Sequence, residues 1–355
     1  MISLLILFGG LSSEHEISCM SAASILTQVD REKYAVTAVG ITREGRWLLY
    51  ENADPEKVRS GAWSEEPGLR PAVLVPDRTV HGLLVDGGAS TIRIDVCFPV
   101  LHGFGGEDGT VQGLLTLAGI PFVGPGVAAS ANSMDKSLTK MVVEQAGVRQ
   151  AAYYLALRPD FAEAPEQIAR AAEAKLGAYP MFVKPCSSGS SVGVTRADDF
   201  ASLLAGLQEG FRWDDKVLVE EFIDGQEVEV AVLGNRNPIA SIAGEIAPTQ
   251  TFYTYDAKYN DATSALYIPA HISDEAMETV RANALRVYTA LGCRGLSRVD
   301  FFCTYDKNEI VFNEINTIPG FTSISMYPKL FGHQGISYPE LIDRLIACAL
   351  EAGNG

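Results

Sequence analysis

The chain has 355 residues, enough for two or three packed domains, and its 47% hydrophobic and 20% charged fractions are those of a folded rather than a disordered protein. A formal charge of −16, from 28 basic and 44 acidic residues, excludes a nucleic-acid or anionic-membrane partner but leaves room for a small polyanion in a local basic pocket. No apolar run nears the roughly 20 residues that span a bilayer. The six cysteines and five histidines show neither C-x-x-C nor metal-ligand spacing, so free buried thiols in a reducing cytoplasm are expected and a zinc site is not.

In chain order, "SLLILF" reads as a buried first strand rather than a signal peptide, because no basic region precedes it and Gly9 and Gly10 turn the chain at once. Ser13-Glu14-His15-Glu16 fits a capping box ahead of a helix carrying "ISCMSAASIL". "YAVTAVGIT" and "IRIDVCFPVL" supply further strands, continuous enough to be buried on both faces. Residues 45–90, rich in Gly, Pro and charge, read as a peripheral excursion with a hairpin. A helix after Asp108 is expected to end at Gly119, and "PFVGPG" marks a boundary. Helices are predicted near 127–146, 165–176 and 197–209, with short strands at "MFVKP" and "VGVT". From 217 longer alternating strands predict an antiparallel sheet, interrupted by a helix at 273–291 and closed by one near 339–350. Residues 248–264 form a long aromatic and polar loop of the kind that serves as a lid. The domains are therefore 1–125, an open α/β unit; 126–216, a central lobe; and 217–355, a C-terminal lobe with the lid.

The last strand pair carries the strongest chemical signal. Residues two apart share a strand face, so Arg298 aligns with Asp300 and Glu314 with Asn316. A hairpin centred near Lys307 sets Asp300 opposite Glu314 and Arg298 opposite Asn316, within a residue or two. Facing carboxylates repel unless a cation lies between them, and oxygen donors without sulfur or imidazole suit Mg²⁺. A solvated polar strand face is the bland alternative. "KPCSSGSSVG" offers backbone N–H groups and Lys184 to phosphate oxygens, without P-loop order, and equally fits a flexible loop. Lys136 opens a helix and Lys258 lies in the long loop; either alone fits a solvated lysine. "VLVEEFIDGQE" ends a strand where Phe222 and Ile223 could flank an adenine and Glu227 reach a ribose, although such residues are more often core. His102 and Glu14 each follow a buried strand, where open α/β sheets place ligands, and a structural histidine in a turn fits His102 as well. Cys186 lacks an assignable base and no G-x-S-x-G elbow occurs, so nucleophilic catalysis is not expected.

Eight segments in order resemble the D-alanine–D-alanine ligases of the ATP-grasp superfamily: "FGGLSSEHEIS", "LHGFGGEDGTVQG", "SMDKSLTK", "FVKPCSSGSSVGV", "VEEFIDGQEVEVAVLG", "TFYTYDAKY", "SRVDFF" and "NEINTIPGFTSISMYP". The resemblance spans nearly the whole chain, with 45–90 matching loosely. It implies a pre-ATP-grasp α/β domain followed by a two-lobed ATP-grasp fold, and ATP-driven joining of two D-alanines through a D-alanyl phosphate, for peptidoglycan precursors. By the same resemblance, Lys136, Lys184 and Lys258 match lysines around the ATP phosphates, and Glu220, Phe222, Ile223 and Glu227 the adenine and ribose positions. Asp300, Glu314 and Asn316 match ligands of two Mg²⁺ ions, with Mn²⁺ as a substitute. Glu14 matches the carboxylate for the first substrate's ammonium, and His102 a substrate-side position. Ser190 and Tyr259 match the pair that with Glu14 links the loops over the closed site. Arg298 and Gly320 match groups facing the tetrahedral oxygen, and Ser325 and Met326 those holding the second carboxylate. The family precedent is a cytoplasmic homodimer.

Two readings stay open beside this one: a ligase of the same family that takes D-serine or D-lactate second, and a non-catalytic ATP-grasp binding protein. Tyr259 is similar to the dipeptide-forming enzymes, and retention of the lysine and carboxylate set argues against a silent relative. A dinucleotide-binding dehydrogenase is disfavoured because "FGGLSSE" is not G-x-G-x-x-G.

Overall fold

The computed structural model describes residues 1–189, 192–247 and 265–353, arranged around three sheets. The first has the order β6-β5-β4-β3-β2-β1-β7, built from β1 (Ile2–Gly9), β2 (Tyr34–Ile41), β3 (Trp47–Leu49), β4 (Arg70–Leu74), β5 (Gly82–Val85), β6 (Ser90–Arg93) and β7 (Val96–Val100). β1 runs parallel to both β2 and β7, and the remaining pairs are antiparallel. The continuous apolar run of β1 follows from burial on both faces. Leu4, Ile6 and Phe8 pack against the helix His15–Gln28 on one side, and Leu5 and Leu7 against the helix Thr110–Ala118 on the other.

Residues 45–90 contain the expected hairpin, β4 with β5, and lie towards one edge of the first sheet. They supply β3 to β5 and extend the first sheet. Val58 and Trp63 are fully buried, and a side chain at Gly40 would run into the Trp63 ring. The polar, Gly-rich composition of the stretch hid short strands that alternate only weakly. The capping box predicted at Ser13–Glu16 does not form either: the helix starts at His15 with Glu14 as N-cap and no side-chain cap.

The second sheet, β10-β9-β11-β8, is antiparallel and contains β8 (Tyr153–Leu157), β9 (Met181–Pro185), β10 (Thr195–Ala197) and β11 (Lys216–Glu221). The boundary expected at 216/217 therefore falls at the start of a central-sheet strand, and the chain changes sheets between Glu221 and Gly225. The predicted helix over 127–146 is two helices, Val127–Met134 and Lys136–Gln145. They break at Asp135, whose side chain caps the second by accepting from Ser137 and Leu138 N–H.

The third sheet, β14-β13-β12-β15-β16, comprises β12 (Gly225–Leu233), β13 (Ile239–Ala247), β14 (Ala265–Tyr267), β15 (Leu296–Thr304) and β16 (Ile310–Asn316). Val228, Val230 and Val232 face the helix Asp274–Ala290, so their alternates Glu227 and Glu229 face the opposite side. A helix at Met326–His333 was not anticipated from the sequence. The last helix, Tyr338–Gly353, sends Leu341, Ile342 and Leu345 into the same core as β1, which ties the C-terminal segment to the first domain. No helix among the described residues is long and apolar enough to cross a membrane.

Candidate active site

The three sheets meet around a cavity of about 810 Å³, lined by Glu14, His102, Lys136, Lys184, Glu220, Arg298, Glu314, Asn316, Gly320, Ser325 and Met326 among others. Its floor is the hairpin of β15 and β16. Asp300 pairs with Glu314 and Arg298 with Asn316, the register that the turn position predicts. The ladder then shifts, with Phe301 opposite Phe312, which leaves Asn313 as an extra bulged residue. The bulge turns Asn313 towards the cavity, where its Oδ1 lies 3.3 Å from Lys184 Nζ.

Asp300 is completely buried and does not itself line the cavity. Arg298 donates to it through Nε at 2.8 Å and Nη2 at 2.7 Å, and Asn316 Nδ2 donates to Oδ2 at 2.9 Å. Burial works against the Arg298 charge, but Asp300 and Glu229 outweigh it and hold the guanidinium pKa well above its usual range. Carboxylate oxygens of Glu227, Glu229 and Asp300 lie within 4.8 Å of one another. Asp300, with Glu314 across the ladder and Asn316 beside it, makes an all-oxygen donor set that fits a hard divalent cation, while Glu229 turns to Arg298. The Glu227 carboxylate lies beside those of Glu229 and Asp300 and close enough to Lys184 to act on its charge.

The wall opposite comes from the central lobe. Glu220 is buried between two lysines: its Oε1 is 2.6 Å from Lys140 Nζ and its Oε2 2.6 Å from Lys184 Nζ. Burial alone would raise this carboxyl; the two lysines overcome it and bring its pKa down to about 2. Lys140 is itself buried and 5.0 Å from the Tyr153 ring centroid. It escaped the sequence reading, although it lies four residues after Lys136 on the same helix face. Lys136 Nζ donates to Ser188 O at 2.8 Å, and its backbone N–H to Cys186 O at 2.9 Å, so the Gly/Ser loop is pinned to the start of that helix. Cys186 is fully buried with its thiol pushed up to about 12, chiefly by burial, which agrees with its exclusion as a nucleophile. Phe222 is exposed and stacked on Phe182 at 6.0 Å; neither it nor Ile223 lines the cavity. Ser190, Lys258, Tyr259 and the rest of the 248–264 loop lie outside the described residues.

The N-terminal domain contributes Glu14, held where two glycines leave room. A Cβ at Gly103 would come within 2.6 Å of Glu14 Oε2, and one at Gly189 within 2.9 Å. Gly103 also has φ +67°, which favours glycine on its own account. His102 is tied at both nitrogens. Its Nδ1 is 2.9 Å from Ile318 O, and its Nε2 3.3 Å from Ser21 Oγ, which accepts from Phe321 N–H at 3.1 Å. A carbonyl facing Nδ1 sets the proton there, so Nε2 accepts from Ser21. Burial lowers the His102 pKa against the opposing charge of Glu14, so the ring is neutral.

Glu107 is a second strap between domains that the sequence reading missed. It accepts from Gly103 N–H at 2.9 Å and Ile318 N–H at 2.8 Å. Burial, then the Glu14 charge, push its carboxyl up to about 7 from 4.5. The folded protein therefore holds this proton more tightly, and the corresponding stability is lost as pH rises through about 4.5 to 7. Glu107→Gln is expected to remove that loss. In melts from pH 5 to 7.5 the variant should gain on the wild type steadily, and parallel curves would count against this reading.

At the far edge of the β16 exit, Gly320 packs on Ser325, whose Oγ would lie 2.9 Å from a Cβ there. Ser325 is the N-cap of the helix Met326–His333. The Met326 side chain turns into the core beneath Gly244, so what it offers the cavity is its backbone N–H at a helix start.

The family model described as the D-ala D-ala ligase N-terminus matches residues 3–125, and the one for the D-ala D-ala ligase C-terminus matches residues 142–347. The chain belongs to the D-alanine–D-alanine ligase family. Membership brings ATP and a divalent cation as cofactors. Relatives named D-alanine–D-alanine ligase include that of Clostridium acetobutylicum, 46% identical with 98% of each chain covered. Another is that of Caldicellulosiruptor bescii, 47% identical over 98% of this chain and 94% of its own. The fold is shared with the VanG D-Ala:D-Ser ligase of Enterococcus faecalis (TM-score 0.89, 40% identity, 98% of this chain and 99% of that one). It is also shared with the D-alanine–D-alanine ligase of Coxiella burnetii (TM-score 0.86, 34% identity, 100% and 96%).

Proposed function

We propose that the protein joins two D-alanines to D-alanyl-D-alanine at the expense of ATP, through a D-alanyl phosphate. The observation that carries this is the single cavity onto which Lys136, Lys184, Glu314 and Asn316 open together with Glu14, Arg298, Gly320 and Ser325. Phosphoryl transfer needs positioning and charge neutralisation more than covalent chemistry. Lys136 and Lys184 neutralise ATP phosphates, and the pinned Gly/Ser loop brings backbone N–H groups close. Asp300, Glu314 and Asn316 would hold two Mg²⁺ ions, which when bound supply Lewis-acid polarisation of the phosphate oxygens. Glu14 holds the ammonium of the first D-alanine, whose carboxylate takes the γ-phosphoryl group as ADP departs. Arg298 and the Gly320 backbone face the oxygen that becomes tetrahedral when the second D-alanine's amine attacks, and phosphate then leaves. Ser325 and the Met326 N–H take the second carboxylate. Glu220, clamped by lysines, would accept from the adenine amino group.

A second reading, D-serine as second substrate, is favoured by the likeness to the VanG D-Ala:D-Ser ligase. Against it, Ile246 and Leu266 line the cavity with apolar atoms, which suit a methyl group better than a hydroxymethyl. Incubating the protein with ATP, Mg²⁺, D-alanine and equal D-serine and D-lactate, then weighing the products, decides the matter. D-alanyl-D-alanine should dominate; a mixed product would replace the proposal, and no product at all would refute it. Cytoplasmic location is supported by six free cysteines, five of them buried. The homodimer rests on the family resemblance.

A further inference from the structure

We infer that Glu229 is a positioning residue for Arg298: it takes part of the guanidinium's charge, so that Asp300 keeps lone pairs for a divalent cation while Arg298 stays aimed into the cavity. This rests on the ligase reading above. Glu229 stands opposite Asp300 on the neighbouring strand, and Asp300 stands opposite Glu314, so three carboxylates form a row across β12, β15 and β16. Like charges directly across a ladder destabilise it, and here the middle one is fully buried.

Two cations can settle such a row. Arg298 is the protein's own, and it serves one side. Its Nε lies 2.8 Å from Asp300 Oδ1 and 3.2 Å from Glu229 Oε2, while Nη2 lies 2.7 Å from Asp300 Oδ2. Asp300 Oδ2 also accepts from Asn316. The middle carboxylate is thus the most contested group of the row, and a metal ion must draw on the same lone pairs. Were Asp300 the sole anchor of Arg298, the full guanidinium charge would oppose the ion there. Glu229 pulls the guanidinium the other way. It lines the cavity beside Arg298, whereas Asp300 does not.

The test uses the full chain and Glu229→Gln, which keeps shape and loses charge. Mn²⁺ affinity, read by electron paramagnetic resonance with a non-hydrolysable ATP analogue, should weaken about tenfold. Turnover should fall about tenfold while KM for ATP stays within about twofold. Glu229→Asp should recover part of both losses. Unchanged Mn²⁺ affinity in a folded Glu229→Gln overturns the inference. If Glu229→Gln fails to fold, Glu229→Asp must itself show an intermediate loss of Mn²⁺ affinity, and wild-type affinity there overturns it too. Asp300→Asn separates the two layers of the argument. Should it bind Mn²⁺ as the wild type does, the metal site falls and the inference with it; should it bind weakly while Glu229→Gln binds normally, only the inference falls.

Discussion

Glu314→Gln is expected to cut Mg²⁺-dependent turnover by at least about 100-fold, while the melting temperature without metal or nucleotide stays level or rises. The two halves of this result share one cause. Glu314 faces Asp300 across the ladder, and Asp300 has no contact with bulk water. A carboxylate pair in that position costs stability until a cation settles it. The amide keeps the shape and one oxygen donor, removes the repulsion, and leaves a poorer ligand for a hard ion. A melting temperature that drops by several degrees in the metal-free variant would mean that Glu314 serves the fold rather than the cation.

Lys140→Met is the second large effect expected, and it falls on stability first. Lys140 and Lys184 share Glu220 in a site closed to solvent. Taking away one partner of a buried pair leaves an under-compensated charge, at a cost of about 3 kcal/mol. The KM for ATP should rise together with this loss, because Lys184 is drawn wholly onto Glu220. Calorimetry on the variant and on Lys140→Met/Glu220→Gln tests the account. The double variant should regain much of the stability, since its buried carboxylate is gone. Strictly additive losses would show that the two residues do not act as a pair.

The site was legible where chemistry leaves a period in the sequence. Alternation in "SRVDFF" and "NEIN", with a turn between them, was enough for the register of Asp300 on Glu314, because a strand has only two faces. The helix boundaries at 165–176 and Gly119 followed from proline and glycine punctuation for the same local reason. What was not legible depends on contacts between distant segments. Lys140 looked like any helix lysine until Glu220, from another sheet strand, was placed beside it. Glu107 sat in a glycine-rich turn with nothing nearby in sequence to suggest Ile318. The bulge at Asn313 shows only in the strand pairing. The strands between 45 and 90 failed by composition: turn-forming residues break up the apolar stretches, so the core positions of Val58 and Trp63 do not show as a period.

The proposal that a carboxylate is activated by phosphorylation in this cavity is tested most directly by isotope transfer. The protein is incubated with ATP, Mg²⁺ and D-alanine carrying ¹⁸O in its carboxyl group, and the released phosphate is weighed. One ¹⁸O per phosphate, released only when D-alanine is present, is the result expected. Unlabelled phosphate, or phosphate released equally without D-alanine, would contradict the account.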